Sequence, residues 1–131
     1  ERGEPRGEPV RHYTWEHASQ LLPELTQVLE QLRQELARAA DPVTTAQIRR
    51  SVHHNGGGDK ATALLRAGER VRRQLQFLQE HGILLRDVQS GLVDFPSVRD
   101  GREVYLCWRL GEPEIGFWHG VDEGFANRRP L

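Results

Sequence analysis

The residues that could do chemistry here are six histidines, one cysteine and the acids placed near them. His119 is followed by Asp122 and Glu123, three and four positions on. Imidazole with carboxylate is a donor set that Zn²⁺ or Fe²⁺ accepts when a further ligand arrives from elsewhere. His54 and His17 are the candidates for that ligand. The plainer reading of His119 is a half-buried ring that hydrogen-bonds a carboxylate or carbonyl and anchors the tail. A second gathering, His53-His54-Asn55-Gly56-Gly57-Gly58, precedes a helix. Glycine amides in that place can cradle an anion. The run is not a phosphate loop, because Asp59-Lys60-Ala61 stands where Gly-Lys-Ser/Thr would be, and Asp59 would repel a phosphate. A flexible helix–helix connection explains it more simply. The single cysteine, Cys107, is the third candidate, and it needs a base beside it to act as a nucleophile.

The elements that must position these residues start with Leu92 to His119. Asp100-Gly101 marks a two-residue hairpin loop, whose central positions both need positive φ. That turn sets Ser97 opposite Val104, Phe95 opposite Leu106 and Val93 opposite Trp108, a mostly apolar face. The other face carries Tyr105, Cys107 and Arg109, with Cys107 opposite Asp94, a neighbour that raises a thiol's pKa. A second turn at Gly111-Glu112 would pair Arg109 with Glu114, Trp108 with Ile115, Leu106 with Phe117 and Val104 with His119. On that register His119 ends the apolar face. Arg109–Glu114 and the Arg128/Arg129 pair read as ion pairs tying strands and tail together.

Upstream, Thr14 caps a long amphipathic helix with apolar residues at Ala18, Leu21, Leu22, Leu25, Val28, Leu29, Leu32, Leu36 and Ala39. Pro23 predicts a kink near Ser19–Leu22, and Asp41-Pro42 ends the helix. Thr44 or Thr45 could cap a short helix through Val52. A second long helix runs from Asp59 to about His81, with Gly82 closing it. Its apolar line is Ala63, Leu64, Ala67, Val71, Leu75 and Leu78, beside a basic stripe broken by Glu69 and Glu80. Ile83 to Val88 reads as a strand.

The fold class expected is α+β. A long antiparallel helical hairpin, with a kinked first helix and a short helix in the connection, is capped by a three- to four-stranded antiparallel β-meander. Residues 1–131 make one domain: a mobile tail 1–9, a helical part 14–82, the meander 83–119 and an irregular tail 120–131. Hydrophobic residues at 37 % against 28 % charged imply a modest core. A net charge of −1 gives no electrostatic case for nucleic acid or anionic membrane. No apolar run is long enough for a membrane span or signal peptide, and one cysteine fits a reducing cytoplasm. The chain begins at Glu1 with no methionine, so some natural start is expected ahead of it.

The segments LVDFP, DGR, LCWRLGEPEI, WH and GFANRRPL, with Leu21-Leu22-Pro23 near the start, resemble a small bacterial family of unknown function. The resemblance spans about Tyr13 to Leu131; Trp15 and His17 depart from its pattern. It implies a helical hairpin with a β-meander in a cytosolic protein, and it brings no activity, substrate or cofactor. Two functional readings therefore stand. In the first, the helices pair with a second copy into a four-helix bundle, making a homodimeric binding or assembly module. In the second, a divalent metal sits at His119 with Asp122, Glu123, His17 or His54, the last reaching across a dimer.

Overall fold

The computed structural model describes residues 11–43, 46 and 59–131. The expected short helix from Thr44 or Thr45 through Val52, apart from the helical Ala46, and the His53–His54 glycine run lie outside the described residues. Two helices and a five-stranded antiparallel sheet make the fold α+β.

Helix α1 spans Trp15–Ala40 and α2 spans Asp59–Glu80. Thr14 caps α1 as its composition predicts, its side chain accepting from His17 N at 3.1 Å. The kink expected at Pro23 does not break the helix, which is continuous from end to end. Proline removes only one backbone bond here, and buried Ala18, Leu25 and Leu29 hold the turns on both sides to one surface. At the far end of α2, Gly82 takes φ +66°, Gly82 N–H bonds Gln79 O and Ile83 N–H bonds Leu78 O at 2.9 Å. This is the paired-bond helix stop that a left-handed residue permits, with Ile83 and Leu78 both buried against each other's turn.

Gln31 meets Gln74 and Glu35 meets Arg70, so the two helices run antiparallel. Their contact keeps only part of the leucine seam read along the sequence. Leu25, Leu29, Leu32 and Leu78 are buried, whereas Leu36, Leu64 and Leu75 are exposed. Periodicity alone could not anticipate this, because Gln74 and Glu35 find hydrogen-bond partners across the gap and so take inward places.

The strands β1 (Leu84–Asp87), β2 (Leu92–Arg99), β3 (Arg102–Arg109), β4 (Phe117–Gly120) and β5 (Arg129–Pro130) lie in chain order. The β2–β3 register is the expected one: Val93 faces Trp108, Phe95 faces Leu106 and Ser97 faces Val104. Asp100 and Gly101 take φ 55° and 77°, as a two-residue loop demands. Val93, Phe95, Leu106 and Trp108 pack on Ala18, Leu25, Leu29 and Leu78 to form the core. The approach to α1 completes it. Tyr13 N–H bonds Pro96 O at 2.7 Å, its hydroxyl bonds His81 O, and Trp15 Nε1 donates to Ile115 O at 2.7 Å.

The second hairpin differs from expectation by one residue. Leu106 pairs with Trp118, Tyr105 with His119 and Cys107 with Phe117. A tight turn does sit at Arg109–Glu112, where Glu112 N–H bonds Arg109 O at 3.0 Å and Gly111 takes φ 102°, but it does not join the strands directly; residues 110–116 form a longer connection. There Glu112 Oε1 accepts from Arg109 N at 2.8 Å, and Trp108 Nε1 donates to Glu112 O at 3.1 Å. Ile115 still reaches the core, 1 % exposed, but from this connection rather than from a strand. The tail is more regular than expected: a 3₁₀ turn at Phe125–Asn127 leads into β5. No helix among the described residues is long and apolar enough to cross a membrane.

Candidate functional site

A shift of one residue moves a strand's side chains to the opposite face. His119 therefore leaves the helix-facing side and joins Asp94 and Cys107 on the outer side of the sheet. The three come from three adjacent strands, and all are buried, at 1 %, 2 % and 0 % exposure for His119, Asp94 and Cys107. One ligating atom from each lies within 4.8 Å of the other two.

His119 Nε2 is 3.0 Å from Asp94 Oδ1, and its Nδ1 is 2.8 Å from the carbonyl oxygen of Gly120. A carbonyl only accepts, so Nδ1 carries a proton and Nε2 is the nitrogen turned toward the cluster. Asp94 Oδ2 accepts from Arg86 Nε at 2.9 Å. That bond is the main reason the Arg86 guanidinium is held above its ordinary pKa, against some loss from burial. A bulge between Leu85 and Asp87 aims Arg86 at this face, and its guanidinium also lies over the Tyr105 ring.

Burial pushes the Cys107 thiol up to about 11, and the Asp94 charge adds to the effect. Arg128 Nη1, 3.9 Å from the sulfur, pulls weakly the other way. Cys107 is a neutral thiol in this setting. Both His119 nitrogens are engaged with oxygen partners, so among the described residues no free base stands beside the thiol.

The tail roofs the cluster. Arg128 makes a two-pronged bond to Glu112, at 3.2 and 2.5 Å, and stacks between Phe117 and Phe125, 4.0 and 4.3 Å from their ring centres. The Glu112 bond raises Arg128. Burial would raise Glu112, but the bonds from Arg128 and Arg109 N–H outweigh it and hold that carboxyl below its ordinary range. The expected Arg109–Glu114 pair is replaced: Arg109 lies over Phe125, and Glu112 takes the strand's N–H.

The sequence-derived candidates separate. His119 is central. Glu123 is near it but engaged, accepting from Gly120 N at 2.8 Å and pairing with Arg129 at 3.1 and 2.9 Å. The Gly120 bond, then Arg129, lowers its pKa. Asp122 is exposed on the turn, and His17 is exposed on the first turn of α1 beside Tyr13. His54 lies outside the described residues. Asp94 and Cys107 are the partners that reasoning on His119 missed. Their pairing with each other was readable from the first hairpin; only the parity of the second kept His119 away from them.

Comparison with curated proteins and with solved structures found no match. A family model described as an uncharacterized conserved protein matches residues 11–131. That match covers nearly the whole chain, which therefore belongs to the DUF2203 family of uncharacterized conserved proteins.

Proposed function

We propose that the protein binds a divalent metal, Zn²⁺ by preference, through Asp94, Cys107 and His119. The observation that carries this reading is the gathering of one carboxylate, one sulfur and one imidazole nitrogen within 4.8 Å in a buried place. Sulfur with imidazole favours Zn²⁺ over Mg²⁺ or Ca²⁺, and three protein ligands leave a fourth position for water. The surroundings suit a metal centre. A ligating histidine ordinarily donates its other N–H to a carbonyl, and a ligating carboxylate is itself hydrogen-bonded. Gly120 O and Arg86 fill those two roles. The ligand atoms must draw together by roughly 1 Å to meet Zn²⁺ bond lengths of about 2.0–2.3 Å. The metal replaces the thiol proton, so uptake releases protons and weakens as pH falls.

The test is elemental analysis of the purified protein after zinc loading and exhaustive dialysis. One zinc per chain is expected, falling to none in Cys107→Ser and His119→Ala while the helix signal persists. Zinc retained by both variants would refute the assignment.

A second reading, self-assembly through the helices, is favoured by α2. Leu64, Leu65 and Leu75 are 43 %, 71 % and 45 % exposed along it. The exposed acids Glu16, Glu24 and Glu30 on α1 complement the exposed bases Arg66, Arg72 and Arg73 on α2. An antiparallel pair of copies would bring these together. Light scattering at micromolar concentration should give twice the mass of one chain, and Leu64→Glu with Leu75→Glu should halve it. A single-chain mass for the native protein would rule this reading out.

A further inference from the structure

We propose that the groove between α1 and α2 binds a small organic phosphate bearing hydroxyl or N–H groups. The groove has a volume of about 510 Å³ and shares no residue with the cluster on the sheet. It opens where the leucine contact of the helices gives way to polar residues. Glu35 and Gln74 are only 8 % and 7 % exposed there.

Three guanidinium groups line this groove against a single carboxylate. Arg70 Nε donates to Glu35 Oε2 at 2.7 Å, and Arg38 Nη1 lies 3.1 Å from Glu35 Oε1. Arg73 pairs with no carboxylate among the described residues, so the groove carries uncompensated positive charge. Guanidinium groups match the planar, multiply charged face of a phosphate.

Gln74 supplies the second, independent indication. Its Nε2 donates to Gln31 Oε1 at 3.3 Å, but its buried Oε1 has no partner among the described residues. A buried amide oxygen calls for an N–H or O–H donor. Inorganic phosphate has its O–H groups on the same small tetrahedron that the guanidinium groups would hold, whereas a sugar hydroxyl or a base N–H lies on a separate part of the molecule and can be offered to Gln74 while the phosphate meets the arginines. Val28 and Phe77 add an apolar wall for the body of such a molecule. The competing explanation is that the polar residues only fix how the helices align, as buried polar groups do in coiled coils.

Calorimetric titration of the full chain separates the two, with AMP, ribose 5-phosphate, adenosine and inorganic phosphate as probes. Binding of AMP or ribose 5-phosphate at one per chain is expected, with adenosine and inorganic phosphate weaker by about tenfold or more. Arg73→Gln, which breaks no ion pair among the described residues, should weaken the organic phosphate about tenfold while leaving the melting temperature unchanged. Gln74→Leu should erase the preference over inorganic phosphate without lowering the melting temperature. No heat with either organic phosphate at millimolar concentration would overturn the proposal. So would equal binding of all four probes, or unaltered binding in Arg73→Gln.

Discussion

His119 stands across from Tyr105 rather than Val104, and this one-residue relationship puts its Nε2 3.0 Å from Asp94 Oδ1. The pair is part of a chain from Arg86 through Asp94 to His119 and on to the Gly120 carbonyl. No buried side-chain polar atom of that chain is left without a partner, which is what allows a carboxylate and an imidazole to be almost wholly buried.

Breaking the chain should therefore be costly. Asp94→Ala leaves the His119 ring and the Arg86 head without their acceptor, and removing one partner of a buried pair typically costs about 3–5 kcal/mol. Urea unfolding should show a loss of that order at neutral pH. A loss below about 1 kcal/mol would mean that water or another group replaces the carboxylate easily.

Cys107 should resist modification. At pH 8 the native protein is expected to leave the thiol unalkylated by iodoacetamide, with full reaction in denaturant. The same burial gives a pH dependence. The folded thiol titrates at about 11 against an ordinary 9.0, so between these values the unfolded chain binds fewer protons. Stability is full below pH 9 and falls as pH rises toward 11. Cys107→Ser should remove that alkaline decline.

The Arg128–Glu112 clamp has the opposite sign. Its carboxyl is held below the ordinary 4.5 in the fold, so its contribution is present above about that pH and is lost as pH falls through the folded value. Arg128→Gln should flatten the acid limb of a plot of melting temperature against pH. An unchanged acid limb would show that the tail's clamp does not stabilise the fold.

How far the sequence discloses this arrangement depends on which turn is asked. Asp100-Gly101 has a demanding backbone, so its residue types declare the loop length, and the β2–β3 pairing follows residue by residue. The connection at 110–116 is held instead by the Glu112 side chain and by the Trp108 indole, and neither contact has a local signature. A seven-residue path and a two-residue turn can both carry apolar residues onward, but they deliver opposite parity. This error alone put His119 among the core residues. The helix contact was obscured for a different reason: periodicity identifies a possible inward face, whereas Glu35 and Gln74 are inward because partners across the gap accept them. Thr14, Gly82 and Arg129 were legible because their cap, stop and ion pair act over a few residues, whereas Arg128 reaches Glu112 in the connection ahead of β4.

Metal binding at Asp94, Cys107 and His119 is tested most directly by a cobalt titration of the metal-free protein, followed by absorption spectroscopy. Co²⁺ takes zinc sites and reports its ligands through colour. One equivalent per chain should produce a thiolate-to-cobalt charge-transfer band together with the intense visible bands of a four-coordinate ion. Zinc should bleach both, and Cys107→Ser should lose the charge-transfer band while His119→Ala loses binding. A pale spectrum of hydrated cobalt, unchanged by the protein, would contradict metal binding here and leave Asp94, Cys107 and His119 as a purely structural cluster.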